Sequence, residues 1–150
     1  MPAPRLTLLS QRRGSLVLLV QAPLDPTTED WERFLDDTVD ARATNQGSCR
    51  VLVFTAGGKP DAAQRSRSLE RGWKDSRRSP VAVVSDDRLV RGVITVFSWF
   101  GLNIRAVRPD RLDEAFAHLE LTGAEREWVV AERDELEAEL GMVRSVRRVG

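Results

Sequence analysis

The sequence has few residues of several chemically active types, and each shortage argues against a class of protein. Its one cysteine, Cys49, excludes a framework of intramolecular disulfides and is typical of a reducing compartment. Its one histidine, His118, has no second histidine and no cysteine pair with which to share a metal ion. No apolar run approaches the roughly 20 residues of a membrane-spanning helix. We therefore expect a soluble cytoplasmic protein without a membrane span, metal or cofactor.

The overall composition favours no particular charged partner. Basic and acidic residues number 23 each, so the net charge gives no argument for binding nucleic acid. An apolar fraction of 41% with 31% charged residues is ordinary for a globular protein. The length of 150 residues fits one domain with a substantial core.

Apolar runs alternate with amphipathic segments along the chain, which predicts an α/β fold. Strands are predicted at 15–21, 50–55, 81–84 and 104–107, with an edge strand at 5–10 and a turn at 12–14. Helices are predicted from Thr27 or Thr28 to Thr44 and at 61–75, 89–100, 111–119 and 122–140. This order implies right-handed crossovers and a mainly parallel sheet of four or five strands with helices packed against it.

The segment 81–107 organises this pattern as a strand, a central helix and a strand. Apolar residues are so dense between 89 and 100 that this helix should be buried on more than one side. Its aromatic residues at 97, 99 and 100 cannot all face one side of the core. Either Trp99 or Phe100 lies at the surface or at a subunit interface, or the C-terminal helices cover both. Arg88 and Arg91, near the start of the helix, pair with the acids at 86–87 or with the polar helix at 61–75, or else form an exposed binding patch.

This chain resembles the STAS-like domains, the anti-sigma-factor-antagonist or SpoIIAA-like family. The resemblance lies in the sequence of residues 81–107 and in the glycine-containing loop after strand 50–55. The resemblance spans 15–119 and extends to uncharacterised STAS/SEC14-type bacterial proteins. It implies a single STAS-like domain that is a protein-interaction module and not an enzyme. Some such domains are switched by phosphorylation after a central strand. Here the matching loop lacks the usual Asp-Ser-Ser-Gly motif, and the hydroxyl of Thr55 is the only one that it offers for phosphorylation.

The same loop is a candidate ligand site. Thr55, Gly57, Gly58 and Lys59 precede a predicted helix, with Pro60 expected at its first position. Backbone N–H groups at such a place can bind an anion, and Lys59 adds positive charge. Neither the Walker A pattern nor G-x-G-x-x-G is present, so a simple glycine turn is the alternative.

No set of residues in the sequence predicts catalysis. Asp86 and Asp87 form a carboxylate pair, but acids that follow Ser85 at a helix start are typical of capping. No nucleophile-elbow motif surrounds any serine that could meet His118. We therefore predict no catalytic residues.

The C-terminal part is predicted to be a charged helix at 122–140 followed by a basic tail at 142–150. Thr122 and Glu125 form a capping box, and the helix carries a narrow apolar seam at Trp128, Val129, Leu136 and Leu140. Such a helix could extend from the body and pair with a second copy. The tail is interpreted as a solvated end, with nucleic-acid contact as the lesser alternative.

Two functions remain open from the sequence. The first is a non-catalytic interaction or regulatory module that binds a protein partner or self-associates, through the Trp99 and Phe100 region or the C-terminal helix. The second is a domain that binds a small ligand (an anion, a nucleotide or a lipid) at loop 56–59, at the edge of the sheet where open α/β folds place ligands.

Overall fold

The protein is built on a five-stranded sheet, seen in a computed structural model that describes residues 6–73, 79–86, 88 and 103–142. The strands are β1 (Leu8–Arg13), β2 (Leu16–Gln21), β3 (Arg50–Thr55), β4 (Val81–Val84) and β5 (Ile104–Val107). They lie side by side in chain order. β1 pairs with β2 antiparallel, and the three other pairings are parallel. The predicted α/β fold with a mainly parallel sheet is confirmed.

Four α-helices accompany the sheet in the described part of the chain: α1 (Thr28–Thr44), α2 (Ala62–Ser68), α3 (Leu112–His118) and α4 (Gly123–Glu139). A π-helical turn, Leu69–Trp73, follows α2, and a 3-10 turn, Pro109–Arg111, precedes α3. None of the helices described is long and apolar enough to cross a bilayer.

The core has two halves, one on each face of the sheet. Alternate residues of a strand point to opposite faces, so Val17 and Leu19 of β2 meet α1 while Leu16 and Leu18 meet α3 and α4. Strands covered on both faces should be continuously apolar, and all six residues of β2 are buried. The core also includes Leu8 from β1 and the buried residues of α4.

Helix α1 forms because its cap and its apolar spacing agree. The side chain of Thr27 accepts a hydrogen bond from the backbone N–H of Asp30, as an N-cap residue should. The apolar residues of α1 recur at helical spacing and give one buried face, formed by Trp31, Phe34, Leu35 and Thr38, whereas Val39 is only half-buried.

Two expectations near the β1–β2 hairpin and loop 56–61 were wrong in detail. β1 runs over Leu8–Arg13 and not over 5–10, and the turn lies at 14–15 because Gly14, with φ +58°, adopts the left-handed conformation. Pro60 is not the first helical residue. Asp61 caps α2 instead, in a capping box with Gln64.

The second predicted helix was too long, since α2 ends at Ser68 and not near 75. Its continuation breaks at Arg71 and Gly72, where Gly72 has φ +112°. The Arg42 side chain stabilises this break. Its Nε donates to Ser79 Oγ at 3.0 Å and its Nη1 to the Arg71 carbonyl oxygen at 3.0 Å.

Helix α4 packs on the sheet and does not extend from the body. The predicted capping box between Thr122 and Glu125 is confirmed. Arg50, at the start of β3, donates to the carboxylate of Glu125 and fixes the start of the helix to the sheet. The buried seam residues of α4 then join the core: Val129, Leu136 and Leu140.

Candidate functional site

The predicted ligand loop at the carboxyl end of β3 is held closed by its own hydrogen bonds. Thr55 Oγ1 donates to the Gly58 carbonyl oxygen at 2.9 Å and accepts from the Gly57 N–H at 3.3 Å. The Lys59 N–H donates to Asp25 Oδ1 at 3.1 Å. Two of the N–H groups expected to bind an anion therefore already have acceptors, while the Lys59 side chain makes no ion pair among the described residues.

A buried glutamine that the sequence reasoning missed lies beside this loop. Gln21 ends β2, is aligned with Thr55 on β3, and accepts the Ala56 N–H through its carbonyl oxygen at 3.1 Å. Its side chain is only 2% exposed, and Nε2 has no hydrogen-bond partner in the part of the chain that the structure describes. The one signal in the sequence was an amide side chain at the end of an apolar strand.

Gly58 closes the space above Gln21. A Cβ atom at this position would lie 2.7 Å from Gln21 Nε2 and would overlap the Leu24 carbonyl oxygen. Gly58 is thus required by close packing and not by its backbone angles, because its φ is not positive.

The predicted interface residues lie largely outside the described part of the chain. Arg88 is helical and exposed, close to the exposed Asp86 and after the buried Ser85, which donates its N–H to the Val107 carbonyl oxygen at 3.1 Å. Arg91, Trp99 and Phe100, and with them the predicted central helix 89–100, fall outside the described residues. The prediction of an interface there stays a prediction.

A second polar group lies on the other face of the sheet, beneath α4. The guanidinium of Arg133 sits over the ring of Phe54, 4.2 Å from its centroid. Its Nε donates to Glu137 Oε1 at 2.8 Å, and Glu137 is only 6% exposed. The two residues are four apart on one helix, as an i, i+4 pair should be, whereas the position of Arg133 over Phe54 follows from the packing of α4 on the sheet.

Among the described residues, those considered for catalysis do not come together. His118 Nε2 lies 3.4 Å from the Asn103 carbonyl oxygen, before the start of β5. Burial raises the pKa of the Cys49 thiol to about 11, although nearby Arg42 and Arg50 favour the thiolate. Within the described ranges, no group of three or more His, Cys, Asp or Glu side chains could hold a metal ion.

Comparison with known proteins decides the family. The sequence pattern named SpoIIAA-like matches residues 17–120, more than half of the chain. The chain belongs to the SpoIIAA-like family. The crystal structure of an uncharacterized Shewanella loihica protein with a SpoIIAA-like fold superimposes with a TM-score of 0.55. The two share 16% identity over 79% of this chain and 98% of the other, which shows the same fold. Comparison with curated proteins gives no match.

The resemblance to this family pointed to a phosphorylation switch at this loop, where Thr55 offers the hydroxyl. Thr55 is 9% exposed, and its hydroxyl both donates and accepts a hydrogen bond within the loop. A kinase requires an accessible hydroxyl that can leave its hydrogen bonds. The geometry of Thr55 therefore gives no support to a switch at this residue.

Proposed function

We propose that the protein is a non-catalytic interaction or regulatory module that acts by self-association in the cytoplasm. The observation that carries the proposal is the SpoIIAA-like family match, because domains of this family typically regulate or bind other proteins. No cofactor is part of this proposal.

Two surfaces are candidates for the contact between copies. The first is the segment that starts with the exposed Arg88 and, by sequence, continues through Arg91 to Trp99 and Phe100. The second is the outer face of α4, where Val130 is 52% exposed. Exposed large apolar side chains mark interaction sites when they belong to a larger patch. We favour the first surface because aromatic and arginine side chains dominate interface energetics.

Light scattering on the wild type, Trp99→Ala and Val130→Ala tests the proposal. We expect a wild-type dimer that Trp99→Ala dissociates while circular dichroism shows an unchanged fold. Val130→Ala is the control on the second surface and should leave the mass unchanged. Dissociation by Val130→Ala alone would move the contact to α4, and a monomeric wild type would contradict self-association.

A second candidate function is the binding of a small ligand at loop 56–59. The Lys59 side chain favours it, because it makes no ion pair among the described residues and lies at the carboxyl end of β3, where open α/β folds place ligands. Thermal melting with phosphate, nucleotides and lipid vesicles tests this function. A shift that Lys59→Gln removes would support it, and unchanged melting across the panel would contradict it.

A further inference from the structure

Helix α4 carries a charged pair where its packing calls for apolar residues. The core-facing side of the helix runs through Val129, Leu136 and Leu140 at the spacing of an amphipathic helix. Arg133 and Glu137 lie along the same side, one turn apart. Glu137 is buried to the same degree as Leu140, which is 5% exposed.

The stability of the fold does not by itself explain why Arg133 and Glu137 occupy these positions. Removing a carboxylate and a guanidinium from water costs several kcal/mol for each ion, and apolar side chains of similar volume are often as stabilising or more so. The i, i+4 order with the basic residue first is also the weaker of the two orientations on a helix. A function that requires a fixed guanidinium would explain why these residues occupy the seam.

The contacts of Arg133 fix its guanidinium and leave its outer edge available. The Phe54 ring lies against one face of the guanidinium, and Glu137 takes the Nε–H. Neither Nη atom makes a hydrogen bond to the described part of the chain, and the side chain is 27% exposed. Two coplanar N–H groups in this arrangement match the two oxygens of a carboxylate or a phosphate.

The position of the group in the fold also suits a ligand. Phe54 is the second-last residue of β3, so Arg133 lies near the carboxyl edge of the sheet, where open α/β folds bind ligands. Phe54 and Thr55 point to opposite faces, because side chains alternate along a strand. The group is therefore distinct from loop 56–59.

We propose that Arg133, supported by Phe54 and positioned by Glu137, binds an oxyanion of a small molecule. The group recognised is a carboxylate or a phosphate, held by the Nη1 and Nη2 N–H groups. The ring excludes water from one side of the guanidinium, which strengthens the contact. This inference does not depend on self-association.

Arg126 provides a matched control on the same helix. Its guanidinium also lies over an aromatic ring, that of Phe116, at 5.5 Å, and its Nε donates to the Leu121 carbonyl oxygen at 3.4 Å. It has no carboxylate partner among the described residues. A non-specific gain from positive charge on α4 would involve Arg126 as much as Arg133.

The experiment is a titration of the full chain with sodium phosphate and, separately, with sodium acetate, at constant ionic strength set by sodium chloride. Binding is followed by the NMR shift of arginine Nε–H groups and by melting temperature. Arg133→Lys keeps the charge that faces Glu137 but loses the paired N–H geometry. We expect it to weaken binding about tenfold or more, whereas Arg126→Lys stays close to wild type.

The two anions identify the source of the oxyanion. Saturable binding of phosphate alone assigns a phosphorylated ligand, and binding of acetate alone assigns a carboxylate ligand. The proposal is overturned if neither anion saturates the wild type, or if Arg133→Lys binds as wild type does. Equal losses in the Arg126 and Arg133 variants would also overturn it, since they would reveal only non-specific attraction to charge.

Discussion

Replacement of Gly58 by alanine is the sharpest test of how loop 56–59 is built. The added methyl group would overlap the Leu24 carbonyl oxygen and lie 2.7 Å from Gln21 Nε2. Gln21 could rotate away, but Leu24 contributes a backbone atom, so the two loops must separate. Overpacking of this kind costs about 1–3 kcal/mol.

An effect of alanine on the unfolded state offsets part of this destabilisation. Replacing glycine with alanine lowers the conformational entropy of the unfolded chain, which stabilises the folded protein by about 0.4–1 kcal/mol where the native backbone is compatible. We therefore expect a net destabilisation of about 1–2 kcal/mol. For a chain of this length that lowers the melting temperature by about 2–8 °C.

Two other glycines separate crowding from backbone strain. Gly123, the first residue of α4, has open space around it, so Gly123→Ala should melt at or slightly above the wild-type temperature. Gly14 also has open space but a φ of +58°, so Gly14→Ala measures backbone strain alone, about 1–2 kcal/mol. The assay is thermal and urea unfolding followed by circular dichroism. A Gly58→Ala variant as stable as Gly123→Ala would refute the close contact with Leu24.

Three further predictions concern buried polar groups. Burial raises the pKa of the Cys49 thiol, so a thiol reagent at pH 8 should modify it only at the rate of unfolding, and rapid labelling of the native protein would contradict its burial. Hydrogen bonds from Arg50 lower the pKa of Glu125, against the opposing effect of burial. The stabilisation is therefore complete above the ordinary glutamate pKa of about 4.3 and is lost as pH falls through the lower folded-state value. Glu125→Gln should cost about 1–2 kcal/mol in urea unfolding at pH 7 and progressively less in acid, and a cost independent of pH would argue against the ion pair. Thr55→Val removes the hydroxyl that bonds Gly58 and Gly57 and should cost about 1–3 kcal/mol in the same assay, with a neutral result showing that the loop does not depend on it.

Patterns within a short stretch of sequence predicted the strands and helix caps whose formation depends on neighbouring residues. The strand Arg50–Thr55 was predicted at its observed bounds because a continuous apolar run between polar ends has few other solutions. The cap at Thr122 was predicted, and the α1 cap was narrowed to Thr27 or Thr28, because a capping side chain bonds a backbone N–H three residues away. Gly72 shows where such reasoning failed. A glycine in a helical pattern is usually tolerated, and the break at Gly72 accompanies a tertiary contact, the hydrogen bond from Arg42 Nη1 to the Arg71 carbonyl oxygen.

The sequence by itself determined the class of fold, the order of its strands and of the described helices, and the resemblance to the SpoIIAA-like family, because these depend on residue periodicity and local sequence along the chain. Only the tertiary structure decided which side chains from distant parts of the chain contact one another. Gln21 came to lie beside Gly58, and Arg133 over Phe54, because parallel strands and a returning helix place residues distant in sequence at one edge of the sheet. Such contacts depend on register and packing angle, and neither is encoded in the spacing of residues within one segment.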